Sequence, residues 1–348
     1  MIAPTEHVRR DTDTGQGTAT HAPVTLKDQH GRGIEYLRIS VTDRCNFRCL
    51  YCMPLEGLDW LPKAEILRYE EIAEVVRQLA PLGLRRLRLT GGEPTLRPDL
   101  ARLVGMLRNV SGVEDIALST NGVHLPRLAR ELAAAGLTRV NISADSLRPD
   151  RVAQIARRTL DFDLVRSATA AEDAGMGPIK INVVVMRGIN DDEVADLAKL
   201  TMQHAWHVRF IELMPVGDLR ALTWDHVVPS EEVLARVASL GPLTADAGPT
   251  LGNGPATYFR LPGALGTIGV ITPMTHTYCG SCNRVRLTAD GRLRTCLFGE
   301  HEVLLRDAIR NGESLEPLFR KALAEKPLAH ELLQMRVGGL RALSQIGG

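Results

Sequence analysis

The six cysteines of this 348-residue chain fall into two groups of three. Cys45, Cys49 and Cys52 form a C-x3-C-x2-C run, and Cys279, Cys282 and Cys296 form C-x2-C-x13-C. Disulfide frameworks suit small secreted domains short of core, and this chain is neither small nor led by an apolar export signal. Cluster or metal ligation is therefore the chemistry to consider. Three thiolates can hold three irons of a [4Fe–4S] cube and leave the fourth iron open to a ligand. Structural zinc is the competing reading, and it needs a fourth protein ligand. No His stands within ten residues of the first group, which favours a cluster there. In the second group His276 precedes Cys279 by three residues, so a Cys3His zinc site and a second open cube are both readings of that spacing.

Cationic residues are the next signal. Arg284 and Arg286 follow Cys282 two apart, on one face of a β-like run, and guanidinium forks pair bidentately with phosphate. Arg38, Arg88, Lys180 and Arg209 also lie inside β-type runs, where Lys or Arg is unexpected unless the strand faces a polar lumen. The whole chain nevertheless carries 42 Lys and Arg against 41 Asp and Glu. A net charge of +1 gives no global attraction to nucleic acid or anionic membrane, so the cations must converge on a local anion.

These residues need elements to hold them. Strand-like runs at 35–42, 85–90, 114–120, 138–143, 179–185 and 207–213 alternate with helical patterns at 69–80, 98–109, 126–135, 162–174 and 191–203. Repeated strand and helix implies parallel strands with right-handed crossovers. About six units are too few for a closed eightfold barrel, so the expected fold is α/β, a partial, open TIM-type barrel. The informative residues follow the strands: Cys45 the first, Gly91-Gly92-Glu93 the second, Ser119 in the third, Ser143 in the fourth and Met214 after the sixth. The carboxyl ends of such strands are where this architecture places its chemistry. The expected division is a flexible arm at 1–30, the barrel at 31–215, and an irregular C-terminal subdomain at 216–348, with helical patterns near 301–311 and 314–325. No run approaches the roughly 20 apolar residues that span a bilayer. The expectation is a soluble, cytoplasmic protein without nucleic-acid or membrane partners.

The cysteine loop after strand one, paired with Gly91-Gly92-Glu93-Pro94 after strand two, resembles the radical S-adenosylmethionine (SAM) superfamily. From about Glu35 onward, LRISVTDRCNFRCLYCMP, RLTGGEPTLRPDL, VVVMRGINDDE, VRFIELMPVG, CGSCNRVRLTADGRLRTCLF and the terminal Gly347-Gly348 resemble one family within it, the GTP 3′,8-cyclases. That likeness implies two [4Fe–4S] clusters, on Cys45, Cys49 and Cys52 and on Cys279, Cys282 and Cys296. It implies a SAM site lined by Tyr51, Gly92, Ser143 and Met214. GTP contacts are implied for Arg38, Arg88, Ser119, Lys180, Arg284 and Arg286, and Arg209 belongs to the same basic lining. Arg284 and Arg286 join the first three cysteines as residues of the reaction. The implied reaction is reductive cleavage of SAM to a 5′-deoxyadenosyl radical, hydrogen removal from C3′ of GTP, and closure to (8S)-3′,8-cyclo-7,8-dihydroguanosine 5′-triphosphate in molybdenum cofactor biosynthesis. A flavodoxin- or ferredoxin-type reductant, the next enzyme of that pathway, and a monomer or homodimer complete the expectation. Ser-Ala-Asp at 143–145 stands where the family has Ser-Leu-Asp, and Ser119 stands where Thr is common. Rival readings are another twin-cluster radical SAM enzyme, for example one that modifies peptides, and a zinc-binding scaffold.

Overall fold

The computed structural model describes residues 25–214, 222–248, 254–330 and 341–347. Six strands carry the sequence alternation: β1 Tyr36–Ser40, β2 Arg86–Thr90, β3 Asp115–Thr120, β4 Arg139–Ser143, β5 Lys180–Val185 and β6 His207–Glu212. Between them run α1 Tyr69–Leu79, α2 Leu100–Arg108, α3 Leu125–Ala134, α4 Pro149–Ala156, α5 Leu164–Asp173 and α6 Val194–Gln203. Strand side chains alternate between faces, and the two faces differ in chemistry. Leu37, Ile39, Leu87, Leu89, Val140, Ile142, Ile181 and Val208 are fully buried in the continuous core that also holds the apolar faces of α1, α2 and α6. The residues between them, among them Arg38, Arg88, Asn141, Asn182 and Arg209, line a cavity on the other face. Parallel strands buried on both faces read as unbroken apolar runs. Here the polar residues at alternate positions mark a lumen.

Described strands of the C-terminal part extend the sheet. β7 Thr244–Asp246, β8 Thr257–Arg260, β9 Thr267–Ile271, β10 Arg284–Leu287, β11 Arg292–Arg294 and β12 Glu302–Leu304 join the same sheet, in the order β12-β11-β10-β1-β2-β3-β4-β5-β6-β9-β8-β7. β9 is parallel to β6 and β10 is parallel to β1, so the six expected strands become eight parallel ones flanked by antiparallel edges. The sheet stays open, as expected. Pro- and Gly-rich connections hide these short strands from a periodicity reading. β9 is buried throughout and apolar after Thr267, and β10 repeats the Arg-in, aliphatic-out alternation of β1.

Three further boundaries differ from expectation. α4, between β4 and the next helix, has no counterpart among the expected helices, although Pro149 at its first turn is a helix-start signal. Glu302–Leu304, inside the expected 301–311 helix, is β12, and α8 Arg306–Arg310 follows α7 Ser230–Val237 in helix order; α9 Glu316–Ala324 and α10 Leu343–Ile346 complete the described helices. Residues 25–30 are not part of an unpacked arm: Leu26 is buried, donates its N–H to Leu82 O at 3.0 Å and accepts from Ile34 N at 2.9 Å. The remainder of the expected arm, residues 1–24, lies outside the described residues, as does the 215/216 boundary.

Candidate active site

The first cysteine loop leaves the carboxyl end of β1 and is held from two sides. Arg48 N donates to Ala156 O at 2.8 Å and Leu50 N to Ile155 O at 3.1 Å, so the end of α4 supports the loop. On the other side Gly92 N reaches Thr42 O and Glu93 N reaches Arg44 O, both at 2.8 Å. A Cβ at Gly92 would collide with the Arg44 carbonyl, and Gly91 has φ +147°, so this backbone-to-backbone approach requires both glycines. Glu93 is buried and ties the strand ends together, accepting from Thr95 N at 3.0 Å and from Thr120 Oγ1 and Asn121 N at 2.7 Å. Asn121 Nδ2 then donates to Asn46 Oδ1 at 2.7 Å, within the cysteine loop.

Cys45, Cys49 and Cys52 share one wall of a cavity of about 880 Å³, with Gly91, Gly92, Ser119, Asn121, Ser143 and Asp145 around it. Burial pushes the Cys45 thiol up to about 12 and the Cys52 thiol up to about 11. Cys49 is raised well above the ordinary thiol range by burial, then by the charges of Asp145 and the other two cysteines. Thiolates are the ligating form. The three half-buried thiols repel one another, and burial and acidic neighbours disfavour their thiolates, which a cationic centre would offset, so this donor set fits an iron–sulfur cluster. Tyr51 OH donates to Asp145 Oδ2 at 2.7 Å and Val184 N to Asp145 Oδ1 at 2.8 Å. Burial lifts Asp145 to about 6 against those two hydrogen bonds.

A second cavity, of about 1140 Å³, adjoins the first and shares Tyr51, Ser119, Ser143, Asp145 and Leu343 with it. Its walls carry Arg38, Arg88, Arg209, Arg284 and Arg286. Arg286, Arg38 and Arg88 sit side by side, in register on β10, β1 and β2. Arg88, Arg209, Arg286 and Lys180 are each less than a tenth exposed. Burial and then the neighbouring guanidiniums lower Arg38 well below its usual range; burial followed by Arg284 brings Arg286 to about 10. Lys180 is pushed down to about 6 by burial, then by Arg209, Arg139 and Arg88. Arg209 donates to Asn182 Oδ1 at 2.6 Å while its buried Nε has no partner among the described residues. Cations gathered at mutual cost around a cavity form an anion site. At one end the C-terminal segment enters: Gly347 O accepts from Arg286 Nη1 and, at 3.2 Å, from Arg38 Nε. Gly348 lies outside the described residues.

The second cysteine group borders this cavity through its sequence neighbours Tyr278, Arg284, Arg286 and Leu297. Its electrostatics differ from those of the first group. Burial raises the Cys282 thiol, but the charges of Arg284 and Lys326 outweigh burial and hold it at about 7. His276, the candidate fourth zinc ligand, is exposed and its Nε2 meets Glu231 Oε1 at 3.1 Å. Among the described residues no Cys3His set is assembled there.

The structure therefore places Tyr51, Gly92 and Ser143 with the first cysteines, and Arg38, Arg88, Ser119, Arg209, Arg284 and Arg286 in the second cavity, with Ser119, Tyr51 and Ser143 common to both. Met214 lies on the wall of the arginine-lined cavity and not on that of the thiol-lined one. Lys180 is on the lumen face of β5, two residues before the lining Asn182. Sequence reasoning missed Asp145 and Asn182, and it missed Lys326 and Arg32, which hold the second cysteine group. Asp145 was legible only as part of the Ser-Ala-Asp string.

Residues 39–201 match the family model described as the Radical SAM superfamily, and residues 206–332 match Molybdenum Cofactor Synthesis C. A protein of Heliobacterium modesticaldum named GTP 3′,8-cyclase is 47% identical over 325 residues, covering 92% of this chain and 99% of that protein. One of Pelotomaculum thermopropionicum with the same name is 47% identical over 327 residues, covering 93% and 100%. The crystal structure of Streptococcus suis SuiB bound to S-adenosylmethionine is 14% identical with a TM-score of 0.59, covering 88% of this chain and 72% of that one, a likeness of fold. Among the described residues no helix is long and apolar enough to cross a membrane. By sequence, fold and site, the chain belongs to the GTP 3′,8-cyclase family of radical SAM enzymes.

Proposed function

We propose that the chain converts GTP to its 3′,8-cyclised triphosphate, with SAM and one iron–sulfur cluster in the thiol-lined cavity, GTP in the arginine-lined cavity, and a second cluster on Cys279, Cys282 and Cys296. The observation that carries this reading is the row Arg286, Arg38, Arg88 with Arg209 and Lys180 around a cavity that adjoins one lined by three cysteine thiols. When bound, the cluster that Cys45, Cys49 and Cys52 would hold and the SAM beside it would supply radical chemistry for removing the hydrogen at C3′ of the ribose, ahead of closure onto C8 of guanine.

The chain's own residues bind and orient. GTP brings about four negative charges, whose burial needs several converging cations. Guanidinium forks on adjacent strands restrict the triphosphate, so the ribose stands at the passage between the cavities and orientation lowers the barrier. Ser119, Ser143 and the Tyr51–Asp145 pair form that passage. Burial of the lumen keeps water from a reactive intermediate. Cys279, Cys282 and Cys296, with Arg284 beside them, would hold the second cluster where the base lies. A flavodoxin- or ferredoxin-type carrier supplies electrons, and the cyclised nucleotide passes to the next enzyme of molybdenum cofactor synthesis.

Anaerobic incubation with GTP, SAM and dithionite tests the reading. A cyclised guanosine triphosphate together with 5′-deoxyadenosine supports it, as does iron near about eight per chain. Formation of 5′-deoxyadenosine with GTP unchanged, or zinc at the later cysteines, would contradict it.

A further inference from the structure

Lys326 is buried to 2% exposure, and burial pushes its amine below the ordinary lysine range while the charge of Cys282 acts to keep it protonated. Its Nζ donates to Thr295 O at 2.5 Å and to Arg284 O at 2.9 Å, and it stands 3.7 Å from Cys282 Sγ. An ammonium has three donors, and these contacts use all three. None of them is a carboxylate. Carbonyl dipoles alone do not compensate a buried charge, which needs a paired anion, and the one group in this set able to carry negative charge is the Cys282 sulfur.

The position of these partners in the chain is informative. Arg284 is two residues after Cys282, and Thr295 immediately precedes Cys296, so one ammonium joins the two segments that bring these cysteines together. Lys326 is itself fixed from the N-terminal side. Gln29 Nε2 donates to Lys326 O at 3.0 Å, and Arg32 donates to Pro327 O at 2.7 Å, to Leu328 O at 2.9 Å and to Cys279 O at 2.7 Å. Arg32 is in turn held by Asp28 at 2.6 Å. The three cysteine positions thus connect to one built support, with Arg32 on Cys279 and Lys326 between Cys282 and the residue before Cys296.

We propose that Lys326 is a positioning residue of the C-terminal cysteine site: its ammonium is the fixed counter-ion of the Cys282 sulfur and the fastener of the chain segments bearing Cys282 and Cys296. This rests on the reading of Cys279, Cys282 and Cys296 as cluster ligands. A positive charge in contact with a ligating sulfur favours the more negative, reduced state of what it holds, so removing that charge makes reduction harder.

The test uses full-length protein carrying Cys45→Ser, Cys49→Ser and Cys52→Ser, reconstituted anaerobically so that only the C-terminal site can bind iron. Lys326→Met and Lys326→Gln are compared with this parent by EPR-monitored redox titration and by iron analysis. Gln keeps N–H donors for the Arg284 and Thr295 carbonyls without the charge, and it carries the test where Met does not fold. The expected result is a midpoint potential shifted to more negative values in both variants, an altered EPR spectrum, and greater iron loss in Met than in Gln. An unchanged potential and spectrum in the folded variants, even with a lowered melting temperature, would overturn the proposal by making Lys326 a packing residue. A parent that binds no iron would overturn the cluster reading itself and the proposal with it.

Discussion

The two cysteine groups present the same three-thiol chemistry in opposite electrostatic settings. Around Cys45, Cys49 and Cys52, burial dominates and the nearby charges are Glu93, Asp145 and the other thiols, so every shift is upward. Around Cys282, burial is offset by Arg284 and Lys326, and the thiol is held at about 7. Cys279 is raised by burial, then by the charges of Cys296 and Cys282, against the charge of Arg284. A trio shifted only by burial and acidic neighbours would rely on a bound metal centre for charge balance. A trio with built-in cations is continuous with the anion-binding wall, since Arg284 and Arg286 belong to both. On the proposed reading, the first group serves the reaction that starts the chemistry, and the second serves the holding of the substrate that receives it.

The largest effect should separate the two groups outright. Cys49→Ser should abolish formation of 5′-deoxyadenosine, whereas Cys282→Ser should retain it and lose the cyclised product; chromatography of both products under anaerobic turnover distinguishes them. Loss of both products in both variants would erase the comparison. Next, Arg286→Ala should leave iron content and SAM binding in place while weakening GTP binding about 10- to 100-fold, the range for removing a charge-assisted contact. Calorimetry reads this directly, and unchanged affinity would remove Arg286 from the site.

A pH effect follows from Lys180. Burial and the neighbouring guanidiniums disfavour its ammonium and push it down to about 6. A bound triphosphate restores the charge and raises that value, so GTP binding takes up a proton between about pH 6 and the higher bound value. Affinity should be greatest below this window and fall as pH rises through it, by up to about tenfold per unit. Calorimetry in buffers of different ionisation enthalpy measures the proton uptake, and Lys180→Met should abolish it. The smallest effect is expected at the passage between the cavities. Tyr51→Phe removes the 2.7 Å bond to Asp145 and should lower turnover only a few-fold, with both clusters intact. A loss as large as that of Cys49→Ser would make Tyr51 a participant in the chemistry.

Much of this was legible in the sequence because the strands alternate so regularly. Arg38 and Arg88 stood out as charges at lumen positions between buried Leu37, Ile39, Leu87 and Leu89, and the structure places both in one cavity wall. The glycines at 91 and 92 marked a close backbone approach, which is present against Thr42 and Arg44. The contribution of the C-terminal part to the sheet was not legible. β9 and β10 are short, lie between Pro- and Gly-rich segments, and pair with strands some 60 and 250 residues away in sequence, which local periodicity cannot encode. Lys326 was missed for a similar reason. Its string Glu-Lys-Pro reads as a solvated helix end, and only tertiary contacts bring it to Cys282. The same holds for residues 25–34, whose polar composition concealed a packed segment that grips the second cysteine group through Arg32.

The central claim is that the arginine-lined cavity presents C3′ of GTP to the thiol-lined one. Anaerobic turnover of GTP carrying deuterium at C3′, followed by mass spectrometry of the 5′-deoxyadenosine formed, tests it most directly. The account predicts one deuterium in 5′-deoxyadenosine for each cyclised product molecule. Unlabelled 5′-deoxyadenosine formed alongside product would contradict it.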